Sequence, residues 1–222
     1  MRYLDLLTAL FATVLLVSNV ASTKLVVLGP FTFDGGTLLF PLAYIFGDVL
    51  TEVYGYRKSR RVIWIGFFAL LLATLTFQAV AHLPAPPDAE SQRFGEAFGL
   101  LLGLTPRIVL GSLLAYFLGE FANAYVLAKI KVRTEGRFFW LRALASTLVG
   151  QGLDTGVFLL VAFYGVFPKE VLLAVFLSNY AFKLGVEALM LPFTYAVVGF
   201  LKRAEGMDAY DRDTDFNPFR LT

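Results

Sequence analysis

Residues 178–192 read SNYAFKLGVEALMLP and set Asn179, Lys183 and Glu187 four residues apart inside a long apolar run. On a helix these three side chains share one stripe. A charge at the centre of a bilayer is costly unless it is paired or faces an aqueous cavity, so its default meaning is a functional site. The same pattern recurs in three other apolar segments, and that repetition decides both the fold class and the direction of the functional search.

Composition agrees with a membrane chain. Hydrophobic residues make up 58% of the 222 positions, charged residues 16%, and mean hydropathy is +0.70. A soluble domain carries an apolar share nearer 45–50%, and 23 phenylalanines exceed what one soluble core holds. The expectation is an all-α polytopic membrane protein forming a single domain over 1–222, in contact with the lipid bilayer. A spanning helix needs about 20 mostly apolar residues, and six segments qualify, at about 4–22, 38–55, 62–82, 107–128, 141–165 and 170–201. The first opens with Met1-Arg2 like a signal peptide, but it has no small-residue cleavage site and ends in Ser18-Asn19, so it reads as a retained helix.

Basic residues set the orientation. Arg57, Lys58, Arg60 and Arg61 follow the second segment as a basic loop; Lys129, Lys131, Arg133 and Arg137 follow the fourth, with Arg142 just beyond; Lys202, Arg203, Arg212 and Arg220 close the chain. With both termini inside, all 19 Lys and Arg residues except Lys24, Arg93, Arg107, Lys169 and the embedded Lys183 are cytoplasmic. The reading is therefore six spans, N-in and C-in, with 202–222 a soluble cytoplasmic tail. Residues 23–37 are too short to span, and the turn signals Gly29-Pro30 and Asp34-Gly35-Gly36 suggest an outer hairpin or cap. Residues 83–106 begin PAPPD, which cannot be helical, and continue as an apolar stretch suited to the outer surface. The halves do not align into a convincing inverted repeat.

Several chemistries are excluded or disfavoured. With no cysteine there is no disulfide, thiolate zinc site or cysteine nucleophile. The single histidine, His82, lies where an apolar run meets a polar loop and reads as an interfacial residue rather than a metal ligand. No metal, cofactor or direct nucleic-acid contact is expected. HExxH, a GxSxG elbow and a second histidine are all missing, which argues against an intramembrane enzyme.

The embedded polar residues are the candidates. The second segment carries Asp48 and Glu52, the fourth Glu120 and Asn123, the fifth Ser146, Gln151, Asp154 and Thr155, the sixth Asn179, Lys183 and Glu187, and the first Asn19 nearer the outer side. Each set lies on one face of its helix, so the faces can converge on a common cavity. Five embedded acids against one embedded lysine cannot all be ionised in a low dielectric; some must be paired, protonated or wetted. Lys183 is expected to pair with Glu187 or with an acid on a neighbouring helix. Blander roles stay open: Asp48 and Glu52 can pair with Arg57 or Arg60 at the inner interface, and Asn123, Ser146 and Asn179 can be interhelical glue. Gly47, Gly111, Gly119 and Gly185 read as close-packing positions. Carboxylates and amides at mid-membrane with Tyr44, Tyr116 and Tyr180 nearby suit a small flat heterocycle, since a carboxylate accepts two N–H bonds from an amidine edge and a ring stacks on the plane.

Three long stretches carry a family resemblance. FPLAYIFGDVLTEVYGYRKSRRVIWIGF (40–67), RALASTLVGQGLDTGVF (142–158) and YAFKLGVEALMLPFTY (180–195), followed by YDRDTDFNPF (210–219), resemble the queuosine-precursor transporters of the vitamin-uptake-transporter group. The likeness runs from Asn19 to Phe219, and the motif positions fall on Asp48, Glu52, Gly55, Arg57, Arg60, Gln151, Asp154, Lys183, Glu187 and Pro192. The resemblance implies a bacterial inner-membrane importer of 7-deazaguanine bases, 7-cyano-7-deazaguanine (preQ0) and its aminomethyl relative preQ1, for salvage into tRNA queuosine. On that reading Gln151, Asp154, Asn179, Lys183, Glu187, Glu120, Asn123 and Asn19 bind substrate. Asp48, Glu52, Arg57 and Arg60 gate the inner mouth or couple protons. The alternative is a substrate-capture subunit for another heterocycle or vitamin; with no GxxxxGK[ST] loop in this chain, its ATP-driven module would be a partner. Glycine-rich helices permit a homodimer without requiring one.

Overall fold

A computed structural model describes residues 1–28, 31–104 and 106–220. The chain order is α1 (Leu4–Ala21), a hairpin of β1 (Leu25–Leu28) and β2 (Phe31–Asp34), a 3₁₀ turn (Gly35–Leu38), α2 (Phe40–Tyr54), α3 (Tyr56–Ala81), α4 (Ala89–Leu102), α5 (Pro106–Arg133), α6 (Phe139–Phe163) and α7 (Lys169–Glu205). The fold is helical apart from the antiparallel hairpin, in which Leu25 pairs with Asp34 and Leu28 with Phe31. The expected hairpin is therefore present, although its Gly29-Pro30 turn lies outside the described residues.

Among the described residues five helices, α1, α3, α5, α6 and α7, are long and apolar enough to cross a membrane. Large apolar side chains such as Phe68, Leu72, Leu173 and Leu189 are exposed on their outer faces. Such faces suit hydrocarbon rather than water, and the chain is a multi-pass membrane protein. The segment expected as a sixth span is the 15-residue α2. At 1.5 Å per residue it measures about 22 Å, short of a hydrocarbon layer about 30 Å thick. It compensates by position: α2 packs on α1, α3, α5 and α7, and Val49 and Val53 are fully enclosed.

Gly55 alone separates α2 from α3. It adopts φ +81°, ψ 167°, a region open to glycine and strained for other residues, and the chain reverses there within one residue. Residues 57–61 are consequently the first turns of α3 and not a loop, which corrects the sequence expectation; Arg57 is exposed and Arg60 buried. Helices α5 and α6 cross closely because Gly119 and Gly150 face one another. A Cβ on Gly119 would stand 2.8 Å from Asp154 Cβ and 3.0 Å from the Gly150 carbonyl oxygen. Gly47 and Gly111 also have neighbours at van der Waals distance, whereas nothing lies within 4 Å of a Cβ placed on Gly185, which is not a packing position.

Both termini lie at one end of the bundle, where the Tyr3 amide donates to Glu205 at 2.7 Å. At the opposite end α4, capped by Asp88 accepting from the Ser91 amide, packs along α3, with Phe98 edge-on to Phe77. Residues 206–220 are docked on the helices, although most of them keep exposed side chains. They run back across the ends of α2, α3 and α5, with the Ala209 amide donating to Val53 O at 3.2 Å.

Candidate functional site

A cavity of about 610 Å³ opens among α1, α3, α5, α6 and α7, within the size range of small-molecule sites. Asn19, Ser22 and Asn179 line it, and Tyr116, Phe158 and Phe163 supply aromatic wall. Tyr116 is oriented by its hydroxyl, which donates to Ile63 O at 3.0 Å. Gly66 makes room for that hydroxyl, because a Cβ there would collide with it.

Asp154, Thr155 and Lys183 also line the cavity. Lys183 Nζ lies 3.0 Å from Asp154 Oδ2, 2.9 Å from Gln151 Oε1 and 3.4 Å from Thr155 Oγ1. The ammonium thus draws together three side chains of α6 spaced over one helical turn. Lys183 and Asp154 keep 20% and 31% of their side-chain surface accessible at the cavity wall, so an incoming ligand can reach the pair. Carboxylate, amide and ammonium beside aromatic faces can read a planar heterocycle edge-on while stacking on its plane.

Below this floor the chemistry changes. Asp48 is buried, receives a long 3.4 Å hydrogen bond from Asn123 Nδ2, and faces Glu187 closely enough for a direct carboxyl–carboxyl interaction. Asp48 Oδ2 and Asn123 Oδ1 find no hydrogen-bond partner among the described residues. Glu120 approaches α2 at Gly47, its Oε2 3.5 Å from where a Cβ would stand.

At the end carrying both termini, Glu52 is fully buried and gripped by cations from three helices. Arg142 holds it bidentately, at 2.8 Å through both Nε and Nη2, Lys202 reaches Oε1 at 2.6 Å, and Lys131 stands 3.4 Å away. Asp208 bridges the two lysines. Partial burial works against the Asp208 carboxylate, yet the hydrogen bonds and charges of Lys131 and Lys202 hold it below its ordinary range.

The helix stripe read from the sequence is thus divided. Lys183 turns to Gln151 and Asp154 on α6, while Glu187 turns to Asp48 on α2. Asn19 and Asn179 reach the cavity, although Asn179 Nδ2 donates to its own helix at Val175 O. Of the suggested glue residues, only Asn123 bonds across helices; Ser146 also bonds within its own helix. Neither Arg57 nor Arg60 meets Asp48 or Glu52 through a hydrogen bond or ion pair among the described residues; Arg60 instead donates to Asp215 O and Asn217 O in the tail. Tyr180 is committed to Phe176, stacked at 5.4 Å, and to Leu148 O, and the Tyr44 side chain lies outside what is described. His82 is exposed and bonds Gln78 O; no metal-binding cluster occurs among the described residues.

Sequence reasoning missed Lys131, Arg142 and Lys202 as partners of Glu52, and Phe158 and Phe163 as cavity wall. The cations had been assigned to orientation alone. The surplus of embedded acid was the signal that could have found them, since Glu52 needed countercharge at its own depth.

The profile of one family, described as "Putative vitamin uptake transporter", matches residues 34–197. A Bacillus subtilis protein called "Probable queuosine precursor transporter" is 37% identical over 188 residues, covering 84% of this chain and 80% of its own. The Escherichia coli "Queuosine precursor transporter" is 26% identical over 73% of this chain and 71% of its own. A Haemophilus influenzae relative, also called "Probable queuosine precursor transporter", is 25% identical over 73% of this chain and 67% of its own. No solved structure matches the chain.

Proposed function

Because this chain belongs to the vitamin uptake transporter family, we propose that it imports a queuosine precursor, a 7-deazaguanine base such as preQ0 or preQ1, across a bacterial inner membrane. The observation that carries this reading is the Gln151–Asp154–Lys183 constellation opening onto an aromatic-walled cavity. Asp154 accepts from the donor edge of the base, Gln151 and Asn179 serve the remaining edge, and Tyr116, Phe158 and Phe163 offer stacking surface. Lys183 keeps Gln151 and Asp154 in register until the base arrives. Asn19 lies at the entrance, and Glu120, Asn123 and Glu187 surround the exit below the floor. The basic end carrying both termini faces the cytoplasm under the positive-inside rule, so the cavity faces outward. Asp48 and Glu52 then stand between site and cytoplasm, as gating or proton-carrying groups.

The test is complementation. A bacterium unable to make or import deazaguanine precursors, expressing this chain and fed preQ0 or preQ1, is expected to regain queuosine in its tRNA. Asp154→Asn or Lys183→Ala at equal expression should lower uptake about tenfold or more, since each removes a charge-assisted bond worth about 1.5–3 kcal/mol. A well-inserted protein that restores nothing would sink the cargo assignment. Uptake by the purified protein in proteoliposomes would show that no separate energy module is needed.

A further inference from the structure

We propose that residues 206–220 form a latch that locks an inner gate centred on Glu52, and that the tail must release before the pathway opens to the cytoplasm. The proposal rests on the import reading for its direction, but its structural content does not depend on the cargo.

The first observation is where the open space ends. The cavity reaches down to Asp154 and Lys183. From Asp154 to Arg142 on α6 there are twelve residues, about 18 Å of helix, and along this stretch Ser146, Thr147 and Gly150 are buried. A base leaving inward must pass this closed section. Yet the section is not built as a satisfied core, for Thr147 Oγ1 and Asn123 Oδ1 are buried without hydrogen-bond partners among the described residues, and Asp48 meets a second acid, Glu187, rather than a donor. Buried polar atoms are nearly always paired in a permanent interior. Two unpaired atoms and a buried acid pair at this depth fit a section that becomes wet in another state.

The second observation is how the inner end is closed. Glu52 sits on α2, while its cations come from α5, α6 and α7. Separating α2 from those helices breaks every one of these pairs, so the knot and the pathway open together. Removing one member of a buried ion cluster is strongly unfavourable, which makes the closed state well defined.

The third observation is that the tail is part of the knot. Asp208 bonds both Lys131 and Lys202, and Lys131 also donates to Ala209 O at 2.7 Å. Further along, Asp211 Oδ2 accepts the Tyr56 amide at 2.9 Å, a carboxylate placed at the start of α3, where the helix dipole favours it. Arg60 donates to Asp215 O and Asn217 O, and Trp64 Nε1 to Pro218 O at 2.8 Å. Phe216 meets Tyr56 and Tyr125, and Phe219 stacks on Phe117. The tail therefore ties α7 to α2, α3 and α5 across the inner end. Most of its bonds are single hydrogen bonds or part-exposed ion pairs, each of modest strength. That makes it releasable in steps, unlike the bidentate Arg142–Glu52 pair beneath it.

The chain contains no cysteine, so one introduced thiol reports alone. Ser146→Cys places a thiol in the closed section; Ala162→Cys places one in the buried outer half of α6. Each reporter is labelled from the outward-facing cytoplasmic surface of inverted vesicles with a membrane-impermeant maleimide, in the otherwise unaltered chain and with Asp208→Asn or Arg60→Gln added. If the tail is a latch, labelling at position 146 rises about fivefold or more while position 162 stays unchanged, the melting temperature falling only by the modest amount the lost tail bonds account for. The proposal is overturned if labelling at 146 does not change in variants that remain folded, because the tail is then only a staple. It is equally overturned if 146 and 162 rise together, since that reports general loosening. No substrate enters this assay, so a failed uptake experiment with a positive labelling result removes the cargo assignment and leaves the latch standing.

Discussion

Asp48 and Asp154 are both embedded acids, and their surroundings give them opposite characters. Asp154 has the Lys183 ammonium beside the cavity. Asp48 has the Asn123 amide at one oxygen, no donor from a neutral or basic side chain at the other, and the Glu187 carboxyl opposite. Asp48→Asn supplies a donor where acceptors confront one another, and satisfying a buried group is worth about 1–3 kcal/mol. The variant is expected to melt higher than the parent in detergent, while uptake falls if Asp48 gates or carries protons. A lower melting temperature would mean that Asp48 has a partner the geometry does not explain. The sequence showed that Asp48 and Asp154 were costly, because cost follows from residue type and position in an apolar run. It could not show which was compensated, since that depends on rotamers and on helices far away in the chain.

Among the helices, the crossing of α5 over α6 fixes the depth of the site. Gly119 and Gly150 put backbone against backbone at the level of Asp154. Gly119→Ala inserts a methyl group against the Asp154 Cβ and a carbonyl oxygen, neither of which is the end of a flexible side chain. Overpacking of this kind costs about 1–3 kcal/mol. The variant should therefore unfold at lower temperature and take up the proposed cargo more slowly. Gly99→Ala on α4 meets nothing within 4 Å and should be neutral or slightly stabilising, as alanine favours helix over glycine. Five of the spanning helices were legible from apolar length, and Gly119 was legible as a packing position. The extent of α2 was not. Its apolar run reads through to residue 38, but the chain enters it from a hairpin and a 3₁₀ turn, and burial by four neighbours replaces the length it lacks. Arg57–Arg61 looked like a loop because basic clusters commonly flank spans, and only the positive φ of Gly55 shows that α3 has already begun.

For the molecule as a whole, basic residues gather at the end that carries both termini, with the tail completing that end. The tail's six charged residues from Asp208 to Arg220 made it look solvated. Its attachment relies largely on backbone carbonyls and amides, which composition does not reveal. Asp208 is held below its ordinary range in the folded chain, against about 3.9 when unfolded. A depressed acid contributes stability above its unfolded value and loses that contribution as pH falls through the folded one. The tail should therefore stay docked from neutral pH down to about pH 4 and loosen below it. Hydrogen exchange at the Ala209 amide, bonded to Val53 O, would report this. Loosening already between pH 7 and 5 would show that another group controls it. The Glu52 knot also bears on how the protein is made. Glu52 leaves the ribosome early, yet Lys131, Arg142 and Lys202 follow it by 79, 90 and 150 residues. At roughly 5–20 residues per second, the nascent α2 waits many seconds for its countercharges. A short helix with two acids is a poor cargo for the translocon on its own. Its final seating belongs to a late step of biogenesis, after α7 has emerged.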